Sequence, residues 1–146
     1  MRVVVQRVSE AEVTVDGDVI ARIGPGVVLL AGLAVGDDAT VVAWMAGKIA
    51  GLRIFADASG APSQCSVVEI GGEVLAVSQF TVTADCRKGR RPSFDRALPA
   101  AAAGPLFAHF VAELTAAVGR VATGRFGADM HVRLVNEGPF TLVIDS

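Results

Sequence analysis

Two hydrophobic periods divide this chain, and their order limits the folds open to it. At both ends apolar residues come in short runs or at alternate positions, whereas in two segments between them they recur every three to four residues. The first pattern belongs to strands and the second to helices with one buried face. Over residues 1 to 33, Val3-Val4-Val5, Val13-Thr14-Val15, Val19 to Ile23 and Val27 to Leu33 read as strands. Asp16-Gly17 between alternating apolar residues reads as a hairpin turn, and Gly24-Pro25-Gly26 separates the last two strands. Val41, Val42, Met45, Ile49 and Leu52 predict a helix over 39 to 52. Leu106, Phe107, Phe110, Leu114 and Val118 predict a second over Pro99 to Val118, opened by prolines that suit a first turn. Between the helices, Arg53 to Phe55 reads as a strand, Asp57 to Ser63 as a loop, and Ser66 to Ile70 with Val74 to Thr81 as a hairpin closed near Gly71-Gly72. The chain then returns to strands from Val121 to Ile144, including Met130 to Val135 and Phe140 to Ile144 with a turn at Gly138-Pro139. Strands at both ends with two helices between them predict an α+β fold: a curved, barrel-like sheet, two main helices packed outside, one domain over residues 1–146.

A chain of 146 residues is long enough to bury roughly 68–70% of its unfolded surface. Hydrophobic residues make up 52% and mean hydropathy is +0.53, yet no run reaches the ~18 uninterrupted apolar residues of a spanning helix. Arg2, Gln6 and Arg7 interrupt the first apolar run, which is not the order of a signal peptide. These features predict a cytoplasmic protein with no membrane partner. Cys65 and Cys86 have neither a CxxC spacing nor a neighbouring His, so neither a disulfide framework nor a zinc site is expected. The net charge of −2 argues against coating nucleic acid through global charge. Charge is uneven, however. Arg87, Lys88, Arg90, Arg91 and Arg96 fall within ten positions that hold one acid, Asp95, so that loop is locally +4 and suited to phosphate.

Chemistry is most legible where strands run into small polar residues. Ser78-Gln79-Phe80-Thr81 ends the run Val74-Leu75-Ala76-Val77, so hydroxyls and outgoing backbone amides should emerge at a strand end, where a scaffold holds them still. Asn136-Glu137-Gly138-Pro139-Phe140-Thr141 offers main-chain carbonyls at its Gly-Pro step. A nucleophilic Ser78 or Thr81 needs a positioned base. The two histidines, His109 within the second helix and His131 on a strand, carry no motif, and there is no G-x-S-x-G elbow. Scattered Cys and His give no metal spacing. An oxyanion hole of backbone N–H groups around Ser78 to Thr81 remains. The plainer readings are strand-end capping for Ser78 and Thr81, a solvated strand position for Arg7, and core packing for Phe126 and Met130.

The strings Met1 to Val8, Ile23-Gly24-Pro25-Gly26, Leu52-Arg53-Ile54-Phe55, Gly71-Gly72-Glu73, Ser78 to Thr81, Asp85 to Phe94, Ala122 to Met130 and Asn136 to Thr141 together resemble the D-aminoacyl-tRNA deacylases. The resemblance covers nearly the whole chain and departs at Ala61 to Ser66, a loop outside the candidate site. It implies a cofactor-free homodimer that hydrolyses the ester between a D-amino acid and the tRNA 3′ end. Ser78, Gln79, Phe80 and Thr81 of one chain would face Gly138 and Pro139 of the other; Thr81 is open to either role, nucleophile or pocket wall, and a wall is the expectation. It implies a cis Gly138-Pro139 whose carbonyls hold the substrate amino group and leave no room for an L side chain, with glycine slipping past. Gln6 and Arg7 would orient that motif, Phe126 and Met130 would flank the terminal adenosine, and its 2′-hydroxyl would assist proton transfer. Arg87, Lys88, Arg90 and Arg91 are the candidate RNA contacts. The rival readings are a relaxed relative that removes small L-amino acids from mischarged tRNA, a catalytically silent tRNA-binding module, and a small-molecule esterase.

Overall fold

A computed structural model of the chain describes residues 1–146. Six strands form one curved sheet: β1 (Arg2–Val15), β2 (Asp18–Ile23), β3 (Gly26–Gly32), β4 (Glu73–Ser78), β5 (Val121–Thr123) and β6 (His131–Asp145). Two helices, α1 (Ala39–Ala50) and α2 (Ala100–Val118), pack against it. β1 organises the sheet. Its first half pairs antiparallel with β3 and its second half with β2, while β6 runs antiparallel along the opposite edge for nearly its whole length. Asp16 (φ 54°) and Gly17 (φ 90°) close the β1–β2 hairpin in left-handed conformations, the geometry of a two-residue turn between twisted strands. β3, β4 and β5 are parallel neighbours.

This architecture makes two cores. Val27, Leu29 and Ala31 of β3 with Val74 and Ala76 of β4 face Val42, Met45, Ile49, Phe107, Phe110 and Leu114 of the helices. Val28, Leu75 and Val77, on the other face of the same strands, close the barrel interior with Val8, Ala11, Val13 and Val15 of β1. Burial on both faces is why β3 and β4 read as unbroken apolar runs rather than alternating ones. α2 has 19 residues and a mean hydropathy of 1.4, the length and composition of a spanning segment; here Ala103, Phe107, Phe110 and Leu114 pack into the helix-side core.

Four local expectations are corrected. Ser66 to Ile70 is a run of turns, not a strand. Ser66 N donates to Glu69 Oε2 (2.6 Å) and Glu69 N to Ser66 Oγ (3.3 Å), the reciprocal bonds of a capping box, and these outweigh the β-branched composition. β4 therefore pairs parallel with β3 instead of closing a hairpin, and it stops at Ser78. Arg53 to Phe55 contributes one isolated bridge, Phe55 to Cys65. Pro105 lies inside α2, whereas Pro99 caps it. Finally, Met130 to Val135 and Phe140 to Ile144 are parts of one strand, because both follow β1 in the same direction; Gly138-Pro139 sits in a bulge between them, not in a turn.

Candidate functional site

The first candidate cluster grows from the end of β4. Ser78 lies opposite Ala31 of β3, and Gln79 N donates to Ala31 O (2.8 Å), so the chain leaves the sheet held by its neighbour. A 3₁₀ turn, Phe80–Thr83, follows at once. The N–H groups of Phe80 and Thr81 precede the first bond of that turn, Val82 N to Gln79 O (3.3 Å), and so have no partner in it. The turn is seated tightly. Thr83 is buried, with Oγ1 donating to Phe80 O (2.7 Å). Gly32, at the end of β3, leaves no room for a side chain: a Cβ there would lie 2.6 Å from Val82 Cγ2, 2.8 Å from Thr83 Cγ2 and 2.9 Å from Gln79 O.

Beside this corner lies a groove of about 620 Å³ lined mainly by apolar residues. Ser78, Gln79 and Phe80 form one side, Phe126 and Met130 another, and Leu98, Ala103 and Phe107 bring in α2 and its approach. Phe126 remains 42% exposed, stands 6.2 Å from the Phe107 ring and rests over Gly104. Met130 sits where a Gly124 side chain would be, its Sδ 2.4 Å from the position of that Cβ. Thr81 is exposed and outside the groove lining; its Oγ1 is bonded by Gln79 Nε2.

The second cluster is the β6 bulge. Gln6 is the Cα partner of Thr141 and Val8 that of Asn136, so residues 137 to 140 have to be accommodated opposite Arg7 alone. Asn136 Oδ1 closes the bulge, accepting from Gln6 Nε2 (3.1 Å) and Thr141 Oγ1 (3.2 Å). Arg7 grips it from the side. Its Nε donates to Glu137 O (3.1 Å), its Nη2 to Gly138 O (2.8 Å) and its Nη1 to Ile54 O, with the guanidinium 4.5 Å over the Phe140 ring. An arginine can hold two consecutive carbonyls in one orientation because its donors form a rigid fork. The Gly138-Pro139 bond is cis, and a Cβ on Gly138 would meet nothing within the chain.

The two clusters stand apart within one chain. Ser78 is level with Ala31, Arg7 is level with Val27, and two strands lie between β4 and β6. Strand rise and spacing put the corner and the bulge roughly 20 Å from each other.

The basic loop protrudes beyond the 3₁₀ turn, closed by a bridge between Asp85 and Ser93. Arg87 folds back on Asp85, whose carboxyl is held well below the usual carboxylate range by that guanidinium. The free positive charge is therefore smaller than the sequence count and lies on Lys88, Arg90, Arg91 and Arg96, which form no ion pair in the chain. His109 pairs with Glu113 on the outer face of α2 (3.6 Å), and His131 is exposed at the start of β6.

A family model described as D-Tyr-tRNA(Tyr) deacylase matches residues 4–145. The chain belongs to that family. It is thereby a D-aminoacyl-tRNA deacylase, a hydrolase whose substrate is an aminoacylated tRNA. This deacylase is 55% identical over 147 residues to the D-aminoacyl-tRNA deacylase of Dechloromonas aromatica (strain RCB), covering 100% of this chain and 97% of the relative. It is 53% identical over 146 residues to that of Desulfitobacterium hafniense (strain Y51), with 100% and 97% coverage. Among solved structures it is similar to a c-Myc DNA Unwinding Element Binding Protein (TM-score 0.96, 38% identity, covering 100% and 99% of the two chains). A probable eukaryotic D-amino acid tRNA deacylase shares the fold (TM-score 0.87, 20% identity, 99% and 98%).

Four residues of the deacylase's two clusters escaped sequence reasoning. Gly32 and Gly124 are required by the close approach of the 3₁₀ turn and Met130, which no local pattern records. Asn136 stood within a quoted string, but its bridging role depends on the register break. Leu98, half-buried in the groove, lies before a helix and carries no motif.

Proposed function

We propose that the chain cleaves the ester of D-aminoacyl-tRNA in a site completed by a second copy of itself, the Ser78 to Thr81 corner of one facing Gly138-Pro139 of the other. The observation that carries this reading is the separation of the two clusters: an amino acid spans only a few ångströms and cannot touch both within one chain. Gly138 adds support, since an open glycine with no neighbours in its own chain suits close approach by another. In this arrangement the N–H groups of Phe80 and Thr81 receive the ester carbonyl oxygen as it becomes an oxyanion, an interaction worth about 10²–10³ in rate per donor. Water adds to the carbonyl carbon, the bond to the ribose 3′-oxygen breaks, and that oxygen takes a proton relayed by the neighbouring 2′-hydroxyl. Ser78, Gln79 and Thr81 wall the reacting centre, and Phe126 and Met130 flank the terminal adenosine.

Chirality is enforced by exclusion. The substrate amino group donates to the carbonyls of Gly138 and Pro139, in a bulge that Arg7 holds through Glu137 O and Gly138 O and Gln6 braces, and an L side chain runs into the same wall. Glycine has no side chain to exclude, so glycyl-tRNA mischarged on tRNA-Ala is also a substrate. Lys88, Arg90, Arg91 and, less freely, Arg87 meet RNA phosphates. The protein works in the cytoplasm, where its substrate is made. The test compares deacylation of D-tyrosyl-tRNA and L-tyrosyl-tRNA on the same tRNA. Rapid loss of the D ester with the L ester intact is expected, and equal loss of both would remove the exclusion argument. The similarity to a DNA-unwinding-element binding protein favours one rival, a silent nucleic-acid-binding module; binding of tRNA with no turnover of either ester would select it.

A further inference from the structure

Two phenylalanines are exposed in the single chain where burial would be expected. Phe80 is 56% exposed and Phe94 36% exposed, and their rings meet edge to face, 5.1 Å between centroids at 67°. Both are firmly based. Phe80 O accepts from Thr83 Oγ1 (2.7 Å), and Phe94 O accepts from Ala97 N (2.9 Å). Phe80 also belongs to the groove, which it lines beside Ser78 and Gln79, while Phe94 ends the basic loop. The charges around the pair are unbalanced. Asp85 is committed to Arg87 and Asp95 accepts from Ser93 Oγ (2.8 Å), whereas Lys88, Arg90 and Arg91 form no ion pair. Exposed rings next to unpaired cations fit a ligand with a flat apolar face on an anionic backbone, and a nucleobase on a phosphodiester strand is such a ligand.

We propose that Phe80 and Phe94 form a stacking platform for an unpaired base of the RNA 3′ end, that of the nucleotide preceding the one that carries the ester. Because Phe80 is shared between the platform and the groove, a strand whose last residue occupies the groove must pass over the pair, with its phosphates towards Arg90 and Arg91. The inference rests on the deacylase reading for the direction of the strand, not for the binding itself. Stacking on an aromatic side chain does not depend on which base is present, so the platform recognises single-strandedness rather than sequence.

The test uses Phe94, which does not touch the ester. With D-tyrosyl-tRNA, Phe94→Ala is expected to raise KM between about fivefold and about a hundredfold, the range for one stacked base. With 3′-O-D-tyrosyl-adenosine, which has no preceding nucleotide, kcat/KM should not change. Phe94→Leu, which keeps bulk against Phe80 without a flat face, should behave like Phe94→Ala, and Phe94→Tyr like the parent. Equal losses on both substrates would mean that the ring only positions Phe80, and unchanged values on both would mean that no base rests there; either overturns the proposal. Fluorescence anisotropy of an uncharged RNA tetranucleotide ending in CCA separates the proposal from the deacylase reading. Weaker binding to Phe94→Ala by a comparable factor supports the platform even if no ester is turned over. Unchanged binding, or loss of self-association on sedimentation of Phe94→Ala, which would assign the pair to a second copy, overturns it.

Discussion

The corner at the end of β4 and the bulge in β6 hold their backbones by opposite means. The corner is fixed by packing: Gly32 has no space above it, and Thr83 is buried beneath the turn. The bulge is fixed by hydrogen bonds, chiefly from one guanidinium, and stands open around Gly138. Close-packed regions resist change through volume, whereas a hydrogen-bonded loop resists through donor geometry. Substitutions that add atoms should therefore harm the first, and substitutions that remove donors should harm the second.

Gly32→Ala puts the largest strain on this contrast. Its Cβ meets two side-chain methyl groups and a backbone oxygen, so the 3₁₀ turn must shift, and the N–H groups of Phe80 and Thr81 with it. Single-turnover deacylation is expected to fall by about 10²–10³, the effect of a lost oxyanion donor, with a stability loss of about 1–3 kcal/mol in denaturant melts. Wild-type rates would mean that the turn is not where the ester binds. Gly138→Ala adds the same methyl group to the open cluster. Within one chain it touches nothing, so unfolding midpoints should move by less than about 0.5 kcal/mol, while deacylation drops by about 10²-fold if a second copy approaches there. An active Gly138→Ala enzyme would remove the shared site.

Arg7→Lys keeps the charge and loses the fork. The expected result is a deacylation rate about tenfold lower, one hydrogen bond's worth of ~1.4 kcal/mol, together with increased turnover of L-tyrosyl-tRNA; a slower enzyme with undiminished selectivity would show that Arg7 does not shape the wall. The smallest effect concerns the basic loop. Its Asp85 carboxyl is depressed by Arg87, so the ordering it contributes is present above the unfolded value of about 3.9 and is lost as pH falls through the lower folded value. Limited proteolysis within residues 86 to 92 should accelerate only below about pH 4, and acceleration already at pH 5 to 6 would assign loop closure to another group.

The same contrast explains what was legible in the sequence. Helices and sheet core were, because periodicity is a repeated signal: α1 and α2 start and end within two residues of the spans expected from the sequence, 39 to 52 and 99 to 118. The segments that form the two candidate clusters were also visible, as polar residues beside apolar runs. What stayed hidden was register. Nothing local distinguishes a Gly-Pro turn from a Gly-Pro bulge, since the difference lies in whether the following strand reverses or continues along β1. The turns at Ser66 to Ile70 were misread for a related reason: two reciprocal hydrogen bonds decided against the strand-like composition of Val67, Val68 and Ile70. Asp85, the partner of Arg87, likewise lay two positions outside the window in which charge was counted.

The strands that are buried on both faces also set the order in which this molecule comes apart. Amides of β3 and β4 lie between two cores and should exchange with solvent only on global unfolding, whereas β6 has β1 on one side and no strand on the other. The corner is an extension of the slowest-exchanging part of the chain, and the bulge belongs to a free edge. On warming, an isolated chain would loosen the bulge while the corner remained intact, so the chiral filter proposed for the bulge would fail before the ester-binding amides proposed for the corner did.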